Sequence, residues 1–170
     1  MRPFRRRRDG LVHAVFSREE ADVVANLAAE SAELVQSARA GLGDPDDPAF
    51  RRLLPDAYPD DAAASAEFRR FTADGLAERK EINARLVVES LDSDASAGSR
   101  GQVDVLLDAA GAAAWLRAIT DVRLVLAARL GIEQDGDEGD IRDADAAYRR
   151  AVYDWLAYVQ ETLVMALSRR

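Results

Sequence analysis

Two arginines and one amide occupy helix positions that otherwise carry apolar side chains. Over residues 73–91, spaced as a helix, Arg79 and Asn83 share a face with apolar residues, and over 109–130 Arg123 does the same. The apolar residues of these two faces are Leu76, Ile82, Leu86, Val87, Trp115, Ile119, Val122, Leu126 and Leu130. The spacing therefore predicts that Arg79, Asn83 and Arg123 point toward a core.

A guanidinium in a core has to be paired, because an unpaired buried charge is strongly destabilising. In one interpretation the three side chains join an internal salt-bridge network that sets helix register. The candidate acidic partners are Glu30, Asp56, Asp60 and Asp61. In the other, Arg79, Asn83 and Arg123 form an anion site that receives a carboxylate or a phosphate. The sequence leaves both interpretations open.

A basic arm, residues 1–9, opens the chain. Five of the 23 Lys and Arg residues lie at positions 2–8, so the chain outside those positions has 18 basic residues against 31 acidic ones, a net charge of −13. The run Arg5, Arg6, Arg7 and Arg8 is a candidate nucleic-acid contact, because clustered arginines bind phosphates. A solvated segment that leads into the first strand, or an arm that binds the protein's own acidic surface, is the alternative.

Composition excludes most catalytic and metal-binding sets. The 170 residues contain no Cys and only one His, His13, which rules out thiol chemistry and any metal site that needs two imidazoles. No Gly-rich phosphate loop or nucleophile elbow is present. We therefore assign no catalytic residues, metal ligands or cofactors. Without an apolar run of about 20 residues, we expect a cytoplasmic protein with no membrane contact.

The predicted fold is mostly α, a helical bundle with one small two-stranded antiparallel ribbon. Two pseudo-repeated strand-helix units build it: residues 11–16 lead through the capping residue Ser17 into a helix, and residues 102–107 lead through Asp108 into another. Because an isolated strand leaves its backbone groups unpaired, the two strands are expected to pair with each other.

The chain is predicted to form a single domain over residues 1–170, with flexible loops at 92–101 and 133–143. Helices are predicted over 62–91, with a break near Thr72, and over 144–168. The helix over 109–130 is apolar on much of its circumference, which favours a twofold homodimer. Alternatively, the first helix and the Pro-rich connector cover this surface within one chain.

Several segments together resemble an actinobacterial family of unknown function. They are RPFRRRRDGLV, RRLLPDAYPDD, EFRRFT, INARLV, AWLRAITDVRLVLAARLGI and YDWLAYVQETLVMAL. Members of this family are commonly encoded beside the ClpS-type adaptor of the Clp protease and are sometimes described as transcriptional regulators. The resemblance implies a non-enzymatic regulatory protein whose partners are DNA or the transcription machinery. The alternative that it implies is a protein-interaction factor of Clp-dependent proteolysis, with a Clp system component as partner.

Overall fold

A computed structural model of the chain describes residues 1–44, 46–55, 60–92, 97–98, 101–134 and 136–168, with the backbone alone described for 62–74 and 97–98. Its helices are α1 (Arg18–Arg39), α2 (Pro48–Leu53), α3 (Ala62–Leu91), α4 (Ala109–Arg129) and α5 (Ala144–Ser168). Its strands are β1 (Arg2–Arg6), β2 (Val12–Ser17), β3 (Ala97–Gly98) and β4 (Gln102–Leu107).

The central strands pair as the two strand-helix units predict. β2 and β4 are antiparallel, with Val12 opposite Leu107 and Phe16 opposite Val103. The prediction of a two-stranded ribbon is wrong, however, because the described strands form a four-stranded sheet in the order β1-β2-β4-β3. The basic arm supplies the extra edge strand β1, and the two-residue β3 flanks β4.

The helix starts follow from local capping. Ser17 accepts a hydrogen bond from the backbone of Glu20, whose side chain accepts one from the Ser17 backbone, so a capping box opens α1. Asp108 caps α4 in the same way by accepting from the backbone of Gly111. Both caps follow a strand without an intervening loop, which fixes α1 and α4 against the same face of the sheet.

An aromatic cluster lies between the sheet and the helices. Trp115 of α4 is fully buried and packs edge-on against Phe4 of β1, with ring centroids 5.5 Å apart, and lies 5.8 Å from Phe16 of β2. The indole Nε1 donates a hydrogen bond of 2.9 Å to Ser90 of α3. This cluster connects β1, β2, α3 and α4 in one hydrophobic core.

One further prediction fails, and another loses the observation that motivated it. The predicted break near Thr72 does not occur, since the backbone is helical throughout α3 and a single helical Gly75 costs only about 1 kcal/mol relative to alanine. The apolar surface of α4 that favoured a dimer is covered within the chain, because Leu124 and Val125 pack against Leu53 of α2 and Val35 of α1. The homodimer stays a prediction, but this apolar surface no longer supports it.

The two predicted flexible loops have different outcomes. Most of 92–101 lies outside the described residues. The described part of 133–143 contains neither helix nor strand, but it is hydrogen-bonded: the backbone amides of Glu133 and Gln134 donate to the Asp137 carboxylate, and the Asp140 amide donates to the Leu130 carbonyl. Its flexibility stays a prediction.

Candidate binding surfaces

The arginines of the N-terminal segment lie on an edge strand and the turn that follows it. Arg5 and Arg6 belong to β1, Arg7 and Arg8 to the turn, and all four are exposed. Gly10 closes the turn with a positive φ of 87°, a conformation that glycine adopts without strain. We call Arg2 and Arg5–Arg8 the β1 arginine surface. The sheet, rather than a free arm, holds these cations in place.

Two contacts fix the position of β1. Phe4 is 4% exposed and inserts between Phe16 and Trp115. The Met1 ammonium donates a 2.6 Å bond to Glu20. Burial alone would raise the pKa of Glu20, but the bonds from the Met1 ammonium and the Ser17 amide outweigh it and lower that pKa. Glu20 therefore stays ionised and connects β1 to the start of α1.

A cavity of about 700 Å³ separates the β1 arginine surface from the second half of α5. The Arg5–Arg8 side chains form one side of it, and the exposed Tyr158 and Met165 lie on the other. Arg7 is bound to Asp9 at 3.1 Å, and Arg6 has a partner of its own. Arg5 and Arg8 make no ion pair with the described residues, so an external anion can reach them without breaking an internal contact.

The three predicted polar core residues are not brought together. Arg79 and Asn83 line a groove between α3 and α4, whereas Arg123 faces α5. The Arg123 guanidinium donates 2.7 Å to the side-chain oxygen of Gln160 and lies 4.8 Å from the centre of the Tyr153 ring. Among the described residues, the partners of Arg123 are therefore an amide oxygen and an aromatic face, and not a carboxylate. The described contacts do not place Arg123 in the groove that Arg79 and Asn83 line.

The face of α3 that carries Arg79 and Asn83 is exposed, contrary to the sequence prediction. Ile82 is 50% exposed, and Leu76 and Leu86 are each 37% exposed. Among the side chains of α3 that the structure describes, the buried ones are Ala77, Ala84, Val87 and Leu91. The periodicity placed the core on the larger apolar side chains, but the small alanines allow α1 to pack closely on the opposite side of α3.

The space in front of this exposed face is a groove of about 640 Å³, which we call the α3–α4 groove. Its lining residues are Leu76, Arg79, Lys80, Ile82, Asn83, Leu116, Arg117, Thr120 and Asp121. At its floor, Lys80 donates a 2.5 Å bond to Asp121. Burial raises the pKa of Asp121, and Lys80 offsets only part of that effect.

Sequence reasoning missed Lys80, Asp121, Arg117 and Thr120 as members of a site. The signal for the first two was present. Lys80 falls on the same helical face as Ala77 and Ala84, and Asp121 lies beside Val122 in an apolar stretch of α4. A lysine and an aspartate on facing helices, each among small or apolar residues, indicate a buried pair, but the sequence does not show that α3 and α4 are neighbours.

Other candidate chemistry finds no support in the geometry. His13 is hydrogen-bonded to Asp104 on the neighbouring strand, with 2.8 Å between Nε2 and Oδ1. Within the described ranges, no three His, Asp or Glu side chains are grouped so that they could hold a metal ion. No helix in that same part of the chain is long and apolar enough to cross a membrane.

Three mycobacterial proteins resemble this chain. Proteins named oxidative stress regulator AosR in Mycobacterium bovis and Mycobacterium tuberculosis are each 34% identical to it over 131 residues, which are 72% of this chain and 59% of theirs. A relative with the same AosR designation in Mycobacterium leprae is 31% identical over 149 residues, covering 79% of this chain and 65% of its own. The chain thus spans less than two thirds of the length of these relatives.

No solved structure matches the chain significantly. The model of a protein family described as a domain of unknown function, DUF2017, matches residues 1–167. This match confirms the resemblance to a family of unknown function, and it covers the β1 arginine surface and the α3–α4 groove alike. The chain belongs to the DUF2017 family.

Proposed function

We propose that this protein is a non-enzymatic regulator linked to transcription, and that it binds nucleic-acid phosphates through the β1 arginine surface. The observation that carries the proposal is the placement of exposed arginines on a strand anchored by Phe4 in the aromatic core. The names of the mycobacterial relatives support a regulatory role in the response to oxidants.

The anchored strand matters because ordering flexible side chains and backbone on binding costs free energy. A free arm would lose backbone freedom when it bound DNA, whereas β1 is already ordered. Arginines at the edge of the sheet also discourage pairing with another strand, so the same residues serve solubility. The net charge of −13 on the rest of the chain restricts phosphate contact to this surface.

The proposed role does not involve a thiol switch in this chain. The chain contains no Cys, so no residue here can form a disulfide or a sulfenic acid. If the regulatory role includes a response to oxidants, the signal has to reach this chain from a partner, through its methionines, or by a change in its abundance. The proposal therefore concerns how the chain binds, and not how an oxidant is sensed.

The test is fluorescence anisotropy with a labelled random-sequence DNA duplex at several salt concentrations. The variant Arg5→Gln/Arg6→Gln/Arg8→Gln keeps Phe4 and leaves the strand anchored, which deletion of 2–8 would not do. A matched control, Arg18→Gln/Arg142→Gln/Arg149→Gln, makes the same change of charge at exposed sites elsewhere. With about 0.9 released counterion per phosphate contact, the slope of log K against log salt should fall by up to about 2.7 in the first variant.

The proposal predicts that wild type and the control variant bind alike and that the β1 variant binds weakly with a shallow salt dependence. Absence of binding at low salt, or equal binding by all three proteins, would refute it. In that case the alternative of an interaction factor in Clp-dependent proteolysis becomes the next hypothesis, and purified Clp subunits would replace DNA as the titrant.

A further inference from the structure

The α3–α4 groove combines exposed apolar side chains with cations that have no internal counterion. Arg117 forms no hydrogen bond or ion pair with the described residues. Arg79 donates only its Nε, to the carbonyl of Gly75 in its own helix, which leaves both terminal nitrogens of its guanidinium without a partner in the described part of the chain. The half-buried Asn83 amide likewise makes no described hydrogen bond.

The groove carries an excess of positive charge. Lys80 and Asp121 neutralise each other at 2.5 Å, so the excess positive charge comes from Arg79 and Arg117. Both lie beside apolar side chains, Arg79 near Leu76 and Ile82 on α3, and Arg117 next to Leu116 on α4. A ligand that satisfies the groove therefore needs carboxylates and apolar groups together.

We infer that the α3–α4 groove binds an acidic amphipathic α-helix from a partner protein. Apolar side chains of that helix would cover Leu76, Ile82 and Leu116, while its flanking carboxylates would pair with Arg79 and Arg117. The α3 side of the groove runs from Leu76 to Asn83, seven positions, which at 1.5 Å per residue is about 10.5 Å, or two helical turns. Anchor residues at i, i+4 and i+7 of a docked helix span this distance.

Charge complementarity favours an acidic helix in the groove over a second copy of this chain or nucleic acid. A second copy would have to offer an exposed apolar helix face, but α3 itself carries the wrong charge, and Tyr158 and Met165 of α5 lie beside the β1 arginines, which would meet Arg79 and Arg117. Nucleic acid would satisfy Arg79 and Arg117 but would leave Leu76 and Ile82 uncovered. The inference does not depend on DNA binding by the β1 arginine surface, which lies on other elements.

The probe is a synthetic amphipathic helix of about 18 residues, long enough to be partly helical, with a leucine stripe flanked by glutamates and a fluorescent label. A matched peptide carries lysine in place of every glutamate. Anisotropy titrations of the full chain should show saturable binding of the acidic peptide. The lysine peptide should not bind in the groove, because Arg79 and Arg117 would repel it, and any binding of it to the acidic surface elsewhere should not change in the groove variants.

Two groove variants and two controls locate the contact. Arg79→Gln/Arg117→Gln should weaken binding of the acidic peptide at least about tenfold, since each charge-assisted bond contributes about that factor. Ile82→Ser should weaken it about fivefold or more through the loss of apolar contact. The controls are Arg18→Gln/Arg142→Gln, with the same change of charge, and Val164→Ser, at a position about as exposed as Ile82.

Circular dichroism melts must first give similar midpoints for all variants, which is expected because the substituted side chains are exposed or half-exposed. Controls within about twofold of wild type, together with weakened groove variants, would support the inference. No binding at about 1 mM peptide, or equal losses in groove and control variants, would overturn it. The inference would also be overturned if the chain self-associates and Ile82→Ser abolishes that self-association. It would equally be overturned if the chain binds DNA and Arg79→Gln/Arg117→Gln abolishes that binding.

Discussion

The Lys80–Asp121 pair is a buried contact whose net contribution to folding is open to direct measurement. Among the charged residues that the structure describes, Asp121 is buried, with 9% of its side chain exposed. The exposed fraction of the Lys80 side chain is 16%. Two unit charges about 4 Å apart at an effective dielectric constant of about 20 attract each other by about 4 kcal/mol. Removing the two ions from water costs as much as this attraction or more, so the pair adds little net stability.

From this balance, the two single variants and the double variant have different expected stabilities. Lys80→Met leaves a carboxylate that is too short to reach water and should lower the free energy of unfolding by about 3–5 kcal/mol. Asp121→Leu should cost less, about 2–3 kcal/mol, because the long Lys80 side chain can extend toward the open groove. The double variant should lie within about 1 kcal/mol of wild type.

Urea unfolding followed by circular dichroism gives all four free energies and the coupling between the two residues. For a chain of this size, a loss of about 3 kcal/mol corresponds to a fall in Tm of about 6–12 °C. The reasoning would be refuted if the double variant lost the sum of the two single losses, or if Lys80→Met were neutral. Either result would mean that the ions do not share a desolvated contact.

The pH dependence is an independent check on the same pair. Because the pKa of Asp121 is raised in the folded state, its contribution is present below the unfolded-state pKa and is lost as pH rises through the folded-state pKa. The wild-type protein should therefore lose stability relative to the Lys80→Met/Asp121→Leu variant as pH rises from about 4. A constant difference between the two proteins over that interval would contradict the raised pKa.

Three further outcomes follow from single contacts. Ser90→Ala should lower the free energy of unfolding by about 1–3 kcal/mol, because it leaves the buried indole N–H of Trp115 without its acceptor. Gly75→Ala should raise it by about 0.5–1 kcal/mol, since the added Cβ meets no atom within 4 Å, and a thermal melt measures both changes. Burial alone would raise the pKa of Asp47, but bonds from Arg129 and a backbone amide outweigh it and lower that pKa. The stabilisation that Asp47 provides is therefore present above its unfolded-state pKa and is lost as pH falls through its folded-state pKa. Asp47→Asn should remove this acid-side loss in melts below about pH 4.

Local signals predicted much of the fold. The capping residues Ser17 and Asp108 mark the starts of α1 and α4 correctly. These predictions succeed because a cap acts within one turn of helix. The sequence did not predict strand β1, because five arginines around Phe4 are typical of a solvated segment. Only the folded core shows that the Phe4 ring packs against Phe16 and Trp115.

The candidate site was harder to predict, because helical periodicity shows which residues share a face but not which face is buried. On α3 the larger apolar residues Leu76, Ile82 and Leu86 are exposed, whereas Val87 and Leu91 are buried together with Ala77 and Ala84. Arg79 and Asn83 therefore lie in an open groove, although they were correctly placed on one face with Leu76. Arg123 faces a different helix, and a pattern within α4 contains no information on which helix that is.

The distribution of unpaired arginines is the strongest link between charge and function in this chain. Carboxylates outnumber basic side chains by 31 to 23, so a cation at a random surface position has an acidic neighbour to pair with. Arg39 and Arg85 do so with Glu81, and Arg129 with Asp47.

Within the described residues, the arginines that make no ion pair include Arg5 and Arg8 at the β1 arginine surface and Arg79 and Arg117 in the α3–α4 groove. An incoming anion can bind at these positions without breaking an existing ion pair. At Arg129 it would first have to displace Asp47. The two proposals assign different anions to these surfaces: phosphates to the strand edge, and carboxylates on an apolar helix to the groove. If both proposals hold, a partner protein and a nucleic acid bind at separate places on the chain, and the two sets of variants described above separate these contacts.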